Sequence, residues 1–390
     1  MPEKTHARKA VISRYLEGAV RRDLARKMVF VGGPRQVGKT TFALAFLKSG
    51  PKDETNPAYM NWDYGEHREH LLKGEIAAGQ PLLILDEIHK FARWRNLVKG
   101  LHDTRRSKQS ILVIGSARLD YYRKGGDSLQ GRYHYFRLHP FSLREVDPQA
   151  RPATVASLLR FGGFPEPFLS GSEREHRRWQ KGHRERIVRD DLRDLERIRE
   201  VSLIELLLHH LPRCVGSPLS VKSLSELLQV AHESVERWLT VLERLYVCFR
   251  IVPYGAPRIR AVRKEKKLYF WDWTQAPEGG QRLENLVACQ LLKYCHWMED
   301  TEGHVMELRY LRDTDKREVD FVVLRDGKPE FAVECKTGER GISPAAAYFS
   351  ERTEIPAFYQ THLGNQDFVH AATGIRVLPF HRFCRELDLP

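Results

Sequence analysis

The eight residues from Gly33 to Thr40 constrain the fold of this chain more than any other feature. They read Gly-Pro-Arg-Gln-Val-Gly-Lys-Thr, which fits the pattern G-x-x-x-x-G-K-[ST]. An apolar run precedes them at 28–31, and a helix-like segment follows at 41–47. A strand, a glycine loop and a helix in this order are the context in which the motif binds phosphate. The order predicts an α/β fold with a phosphate-binding loop; a glycine turn before an ordinary helix is the alternative.

The residues of this loop have distinct expected roles toward a nucleotide. Backbone N–H groups of a glycine-rich loop close around a β-phosphate, and the N-terminus of the next helix adds its positive dipole end. Lys39 is expected to reach the β- and γ-phosphates of ATP, and the Thr40 hydroxyl is expected to ligate Mg²⁺. The residues expected to contact the nucleotide are Gly33, Pro34, Arg35, Gln36, Val37, Gly38, Lys39, Thr40 and Thr41.

A second apolar run, at 81–85, ends in Asp86 and Glu87. Such a run is typical of a strand buried on both faces of a parallel sheet, and the carboxyl ends of such strands carry ligand groups. Asp86 is predicted to hold Mg²⁺ through water, and Glu87 is predicted to polarise the water that attacks the γ-phosphate. Taken alone, an apolar run followed by two acids is also a common strand ending.

Two further strands are predicted at 110–115 and 133–138, with Ser116 directly after the first. A small polar residue there can lie between Asp86 and the γ-phosphate, so Ser116 is a candidate sensor of the nucleotide. From this point the chain resembles the AAA+ ATPases, in which an arginine before the last of these strands reaches the nucleotide of a neighbouring subunit. Arg132 matches that position, and a solvated arginine is the alternative.

Composition limits the class of protein. The 390 residues allow two or three domains, and 42% hydrophobic with 29% charged residues is ordinary for a globular protein. No window approaches the roughly 18 apolar residues of a membrane span, and the N-terminal residues lack the apolar core of a signal peptide. The six cysteines show no C-x-x-C pairing, so neither a zinc site nor a disulfide framework is indicated. We therefore expect a cytoplasmic protein with no membrane partner, and the net charge of +13 favours a polyanion such as DNA.

Four regions are expected along the chain. Residues 1–150 are assigned to the phosphate-binding domain, 151–200 to a helical linker or lid, 201–262 to a winged helix and 263–390 to a nuclease-like domain. The stretch 173–200 mixes charges of both signs, which is typical of a solvated helix and also suits a subunit interface or a nucleic-acid channel.

The winged-helix prediction depends on residues 220–254. Segments 220–228 and 234–243 have helical spacing, residues 229–231 suit a short turn between them, and 246–254 are strand-like. This succession of helix, turn, helix and strand is similar to a winged helix.

The second of these helices presents Glu233, Glu236 and Arg237. Two acids disfavour contact with phosphate, so a purely architectural winged helix is the alternative to a DNA-binding one. The basic cluster that follows is better suited to backbone phosphates, and it comprises Arg258, Arg260, Arg263, Lys264, Lys266 and Lys267.

The last third of the chain contains a second candidate site. Strands predicted at 318–324 and 330–336 form a hairpin, which brings Asp320 alongside Glu334 and Lys336. Glu284 lies in the first turn of an amphipathic helix that precedes them.

This arrangement resembles the restriction-endonuclease-like PD-(D/E)xK nucleases. The resemblance implies that Asp320 and Glu334 bind Mg²⁺, that Lys336 positions or activates water, and that Glu284 completes the cluster. Val319 replaces the proline that usually precedes the first aspartate. Two alternatives stay open, namely an exposed hairpin with alternating charges and a nuclease fold kept for binding with little or no cleavage.

Along nearly its full length the chain resembles a bacterial and archaeal family of AAA+ ATPases with a winged helix and a C-terminal domain of unknown function. The resemblance implies a ring or other homo-oligomer, with a hexamer favoured, because an arginine supplied in trans makes hydrolysis depend on assembly. The function expected first is an ATP-driven machine that acts on DNA, and whether it also cuts DNA with a metal ion is left open. The second is a nucleotide-dependent switch that assembles on a protein partner, with the C-terminal domain as a binding module.

Overall fold

The computed structural model shows a mixed α/β protein, as the sequence predicts. It describes residues 12–47, 49–50, 53–76, 79–105, 109–115, 119, 129, 131–188, 200–255, 265–339 and 341–390. The chain divides into two compact units, one within 1–30, 39–114 and 128–134 and the other within 31–38, 115–127 and 135–390. Across the described ranges, no helix is both long and apolar enough to span a bilayer.

A five-stranded sheet contains the strands predicted around the phosphate loop. Its order is β2-β3-β4-β1-β5, and both β2 and β4 run parallel to β3. The strands are β1 Met28–Gly32, β2 Tyr59–Asn61, β3 Leu82–Asp86, β4 Ser110–Ile114 and β5 Tyr133–Arg137. Every residue of β1 and β3 is buried, as expected for strands covered on both faces. The α-helices of this part are Glu17–Leu24, Lys39–Leu44, Gly65–Lys73 and Trp94–Arg105.

Short helices follow this sheet. They are Leu143–Val146, Pro152–Phe161, Pro165–Ser170, Glu173–Arg186, Val201–His210, Val221–Leu228 and His232–Arg244. Ser142, Ser172 and Ser220 each cap a helix by accepting a hydrogen bond from the backbone N–H three residues later. Gln229 ends one helix in the left-handed conformation, with φ of 54°, and so turns the chain into the next helix.

An eight-stranded sheet of order β12-β13-β11-β10-β9-β8-β6-β7 forms the last part. Its strands are β6 Cys248–Pro253, β7 Lys267–Phe270, β8 Met306–Arg312, β9 Glu318–Arg325, β10 Lys328–Lys336, β11 Phe358–His362, β12 Phe368–Val369 and β13 Arg376–Pro379. The helices here are Gly280–Glu302, called the long helix below, Pro344–Ser350 and Phe380–Glu386. The predicted hairpin is β9 and β10, and it turns at Asp326 and Gly327, both with positive φ.

The predicted helix–turn–helix and strand pair are present, but the pair is not a free wing. β6 runs antiparallel to β7, with Cys248 opposite Phe270. The end of β6 also pairs in parallel with β8, where Val252 lies opposite Arg309. One hydrophobic core continues from Leu143 to residue 389. Residues 201–262 and 263–390, expected as separate regions, therefore share one sheet, and residues 151–200 contribute to the same core.

Candidate functional site

The phosphate loop is held tightly at its first glycine. Gly33 has φ of +147°, and a Cβ atom at this position would lie 2.4 Å from the carbonyl oxygen of Leu138. Gln36 and Gly38 also have positive φ, at 61° and 93°. Because only glycine tolerates both the conformation and the close approach, Gly33 fixes the path of the loop between β1 and the next helix.

Two hydroxyl groups organise the acid at the end of β3. Thr40 Oγ1 donates to Asp86 Oδ2 over 2.9 Å, and the Tyr59 hydroxyl donates to the same oxygen over 2.8 Å. Asn61 Nδ2 donates in turn to the Tyr59 oxygen at 3.1 Å. The strand register explains why Tyr59 and Asn61 lie near Asp86, since β2 pairs with β3 so that Asn61 lies opposite Asp86. Sequence reasoning missed Tyr59 and Asn61, because β2 has three residues and no motif.

The electrostatics of Asp86 favour a nearby cation. Burial raises the pKa of Asp86 to about 6, and the charge of Glu87 adds to the rise. The Tyr59 and Thr40 hydroxyls and the Lys39 ammonium act in the opposite direction on this pKa. A positive ion beside a buried carboxylate favours its charged form. The site is therefore suited to a cation that offsets the cost of burying Asp86.

Glu87 has an unusual backbone conformation, with φ of 53° and ψ of 20°. A non-glycine residue adopts it rarely, and such residues cluster at functional sites. Its Oε2 atom lies 3.4 Å from His89 Nε2 and 3.7 Å from Lys90 Nζ. This oxygen is buried and accepts no hydrogen bond from any residue that the structure describes. A buried acceptor of this kind suits a bound water molecule.

These side chains fit a magnesium nucleotide. A hydroxyl and two carboxylates are the oxygen donors that Mg²⁺ prefers, and Lys39 adds a buried ammonium. When bound, the ion would neutralise phosphate charge. Thr40 and Asp86 as metal ligands, and Glu87 as the residue that orients water, stay predictions that the geometry favours.

Of the two other predicted residues of this site, Ser116 lies outside the described residues. Arg132 is described, and its Nε lies 3.3 Å from Asp103 Oδ1 with 36% of the arginine side chain exposed. The reach of Arg132 to a neighbouring subunit stays a prediction.

A histidine that sequence reasoning did not single out contacts the phosphate loop. His183 lies on the helix Glu173–Arg186, and its Nδ1 is 2.8 Å from Gln36 Oε1. The Trp179 ring stacks on the imidazole with centroids 4.7 Å apart. Burial lowers the pKa of His183 to about 4, against the opposing charge of Asp272. The neutral imidazole can donate its Nδ1–H to the Gln36 carbonyl, so this helix is linked to the loop by its buried face.

The opposite face of the same helix is exposed and basic, and we call it the arginine-rich face. Its basic side chains are Arg174, Arg177, Arg178, Lys181, Arg184 and Arg186, and the exposed acids Glu173 and Glu185 lie on the same helix. Glu173 and Glu175 pair with the first three of these arginines. Within the described ranges, Lys181, Arg184 and Arg186 take part in no ion pair. The face therefore carries excess positive charge.

The structure brings the predicted nuclease-like residues together at the second site. Lys336 Nζ lies 2.6 Å from Glu334 Oε1 on β10, and the backbone N–H of Cys335 donates to Asp320 Oδ2 over 2.8 Å. Burial raises the pKa of Glu334 to about 7 and that of Glu284 to about 8, and the charge of Asp320 adds to both shifts. The predicted residues thus lie close together, and Glu284 is near the start of the long helix.

A lysine occupies the space among these carboxylates. Lys267 Nζ lies 2.6 Å from Glu318 Oε1, 3.3 Å from Glu284 Oε1 and 3.6 Å from Asp320 Oδ1. Burial alone would lower the pKa of Lys267, but the three carboxylates raise it above the ordinary value, so the side chain stays charged. Lys267 already supplies a positive charge to Glu284, Glu318 and Asp320, so these three carboxylates do not fit a divalent cation in addition. In agreement, no set of three or more His, Cys, Asp or Glu side chains in the described parts of the chain is placed to hold a metal.

The position of Lys267 corrects one expectation. The sequence places it in a basic cluster that contacts DNA phosphates, yet its side chain is fully buried. The reason is that Lys267 begins β7, whose four residues are all buried. Lys266 is partly exposed, and the other members of that cluster, Arg258, Arg260, Arg263 and Lys264, lie outside the described residues.

Comparison with known families divides the chain into three matched parts. An AAA domain matches residues 25–147, the domain of unknown function DUF8612 matches 153–274, and the domain of unknown function DUF4143 matches 279–383.

The curated relatives are themselves uncharacterized. A protein of Mycobacterium tuberculosis and one of Mycobacterium bovis are each 26% identical over 257 residues, which is 65% of this chain and 56% of theirs. A protein of Methanocaldococcus jannaschii is 24% identical over 339 residues, covering 78% of this chain and 74% of its own. The chain thus spans just over half the length of its mycobacterial relatives.

Two solved structures are also similar. The Orc1 protein of Aeropyrum pernix in complex with DNA has a TM-score of 0.33 at 16% identity, over 66% of this chain and 90% of that one. A variant of Thermotoga maritima RuvB has a TM-score of 0.28 at 15% identity, over 61% and 88%. At TM-scores this low, neither structure carries an argument about the function of this chain. Residues 25–147, which contain the phosphate loop and the acid pair, thus match an AAA domain, and residues 279–383 match a further C-terminal domain.

Proposed function

We propose that this protein hydrolyses ATP with Mg²⁺ and acts on DNA as an assembly of several copies. The observation that carries the ATPase part is the hydrogen bonding of Asp86 by the Thr40 and Tyr59 hydroxyls at 2.9 and 2.8 Å. Lys39 holds the phosphates, Thr40 and Asp86 hold the ion, and Glu87 orients the attacking water through its buried oxygen.

Arg132 is the residue that we assign to the contact between subunits. Its ion pair with Asp103 lies at the surface, with 36% and 46% of the two side chains exposed. An exposed pair of this kind is worth about 0–1 kcal/mol, so a phosphate from another copy can displace the aspartate at little cost. A ring supplies such a phosphate at every interface, and a hexamer is the size that we favour.

A mixing experiment tests this assignment. Arg132→Ala lacks the arginine and Glu87→Gln lacks the water-orienting carboxylate, so each variant alone should be nearly inactive. In a mixed assembly, the intact Glu87 of one copy meets the intact Arg132 of another, and ATP turnover should rise above that of either variant. Mixtures that stay inactive would show that Arg132 does not act across an interface.

The arginine-rich face is the surface that best fits DNA. Its basic residues from Arg174 to Arg184 extend along roughly 15 Å of helix, and they are exposed. The helix His232–Arg244 is less suitable because it presents Glu233 and Glu236, and Glu236 is already paired with Arg250 over 2.7 Å. Since the buried face of the arginine-rich helix contacts Gln36 through His183, DNA on the outer face has a direct route to the phosphate loop.

DNA-stimulated ATP hydrolysis is the experiment that tests the DNA part of the proposal. We expect added DNA to raise the turnover of the wild-type chain. A double substitution, Lys181→Glu with Arg184→Glu, should lower this stimulation while leaving turnover without DNA unchanged. Lys222→Glu is a matched control, because Lys222 is exposed on the helix–turn–helix. If this control loses the stimulation instead, DNA binds the helix–turn–helix.

A nucleotide-dependent switch that assembles on a protein partner is the second candidate. The burial of Lys267 among Glu284, Glu318 and Asp320 favours this switch, because a C-terminal domain whose acids are already paired with a lysine is suited to binding. Cleavage of DNA is not part of our proposal, for the same reason. Slow ATP turnover that DNA does not change would favour the switch.

A further inference from the structure

We propose that Lys267 is the resident cation of the C-terminal acid cluster and takes the place of a divalent metal, so that this domain binds its partner without metal and does not cut DNA. The acid cluster means Glu284, Glu318, Asp320 and Glu334, together with Lys267. This inference is independent of ATP hydrolysis, because no residue of the phosphate loop or of the Asp86–Glu87 pair takes part in it.

The three carboxylates that contact Lys267 are each held by a further donor. Besides Lys267, Glu284 Oε1 accepts a hydrogen bond from the Tyr269 hydroxyl at 2.7 Å. Glu318 Oε2 accepts one from Arg312 at 2.7 Å. Asp320 Oδ2 accepts one from the Cys335 backbone at 2.8 Å. Each carboxylate in contact with the lysine therefore has a second donor, while Glu334 pairs with Lys336 through Oε1 and keeps a buried Oε2 that accepts no hydrogen bond from the described residues.

Charge balance leads to the same conclusion. Three cationic side chains, Lys267, Arg312 and Lys336, lie within 3.6 Å of the four carboxylates of the cluster. A bound Mg²⁺ would add two positive charges beside the ammonium of Lys267. Two like charges in contact at low dielectric repel strongly. Metal and ammonium thus compete for one position, and the ammonium is part of the chain.

The backbone prevents Lys267 from leaving easily. Lys267 lies opposite Ile251 of β6 on one side and forms a β-bridge with Pro218 on the other. Nearby, Gly216 covers the cluster so closely that a Cβ atom there would lie 2.7 Å from Glu284 Oε2. On the remaining side, the Tyr310 ring centroid is 5.4 Å from Lys267 Nζ. A side chain enclosed by strand pairing, backbone and an aromatic ring is a fixed part of the site.

Binding of Mn²⁺ to the full chain without nucleotide tests the proposal. Every protein carries Asp86→Asn, which removes the ion site of the ATPase domain from the measurement. Electron paramagnetic resonance then counts bound Mn²⁺. We expect Asp320→Asn to change nothing in this background, because Lys267 already excludes the ion. Lys267→Met, which removes the charge at similar length, should gain one Mn²⁺ site, and adding Asp320→Asn should remove that site again.

Two results would overturn the proposal. One is Mn²⁺ binding by the chain with intact Lys267 that Asp320→Asn abolishes. The other is a folded Lys267→Met variant that gains no site. If Lys267→Met does not fold, a cleavage assay replaces it: linear, forked and four-way DNA with Mn²⁺ should stay intact with the otherwise wild-type chain. Cutting that Asp320→Asn abolishes would make the domain a metal-dependent nuclease.

Discussion

The two acidic sites of this protein contain the same kinds of side chain but place their lysine differently. In the AAA domain, the Thr40 and Tyr59 hydroxyls donate to Asp86, and the charge of Lys39 lowers the pKa of this carboxyl group. In the C-terminal domain, Lys267 Nζ lies within 3.6 Å of three carboxylates. Neutral hydroxyls leave the charge of Asp86 for a cation, whereas the Lys267 ammonium offsets the charge of the three carboxylates that it contacts. The position of the charge, and not the residue types, decides what each site can bind.

The largest effect is expected when Lys267 is replaced by methionine, with an exposed lysine as the control. Lys267→Met leaves buried carboxylates without their cation, which costs about 3–5 kcal/mol in the free energy of unfolding. Lys222→Met, at an exposed lysine whose pair with Glu226 lies at the surface, should cost less than about 1 kcal/mol. Urea unfolding followed by tryptophan fluorescence measures both, through the transition that reports on Trp271 and Trp273. Equal losses in the two variants would show that the acid cluster gains no stability from its buried lysine.

The next effect concerns catalysis in the ATPase domain. Glu87→Gln keeps the charge of Lys39 and the hydroxyls on Asp86, so ATP should still bind while turnover falls about 10²–10³-fold. Lys39→Ala should abolish nucleotide binding, because it removes the ammonium that contacts the phosphates. Fluorescent-nucleotide binding and phosphate release measure the two quantities separately. Near-wild-type turnover in Glu87→Gln would contradict the role given to this residue.

Sequence reasoning predicted the features that are local in the chain. The phosphate loop, the buried strand before Asp86 and the β9–β10 hairpin each carry a short pattern, and the structure has all three. Tyr59 and Asn61 carry none, because their contact with Asp86 arises from the pairing of β2 with β3. Such a register joins segments distant in sequence, so no window of residues contains it.

The error at Lys267 has a related cause. In the sequence it ends a run of basic residues, which is typical of a solvated surface. Its burial depends on β7 pairing with β6, and its partners Glu284 and Glu318 come from later segments. The parallel pairing of β6 with β8 was missed for the same reason. Long-range strand pairing therefore sets both the fold of this region and the chemistry of its acid cluster.

A smaller effect is expected at the arginine-rich face, where the proposed ligand is the phosphate of DNA and not a metal ion. Each phosphate contact contributes about 0.9 to the slope of log affinity against log salt, so Lys181→Glu with Arg184→Glu should reduce the slope by about 2. Lys222→Glu should leave it unchanged. Fluorescence anisotropy of labelled DNA at several salt concentrations gives the slopes. A wild-type affinity that salt does not change would favour a protein partner over DNA.

The smallest effect is expected at His183. Both His183 and Lys267 are buried basic groups, but His183 is kept neutral, whereas Lys267 is kept charged. Burial lowers the pKa of His183 from 6.5 to about 4, with Arg186 and Arg35 adding to the shift and Asp272 opposing it. The unfolded chain therefore binds a proton in a pH range where the folded chain does not. The contribution of His183 to stability is complete above pH 6.5 and is lost as pH falls toward 4. From about pH 7 to about pH 5.5 this loss amounts to about 1 kcal/mol.

Urea unfolding at the two pH values should show this loss in the wild-type chain and not in His183→Gln. His209→Gln, at an exposed histidine, should behave as wild type. The same loss in His183→Gln would assign the acid sensitivity to another group.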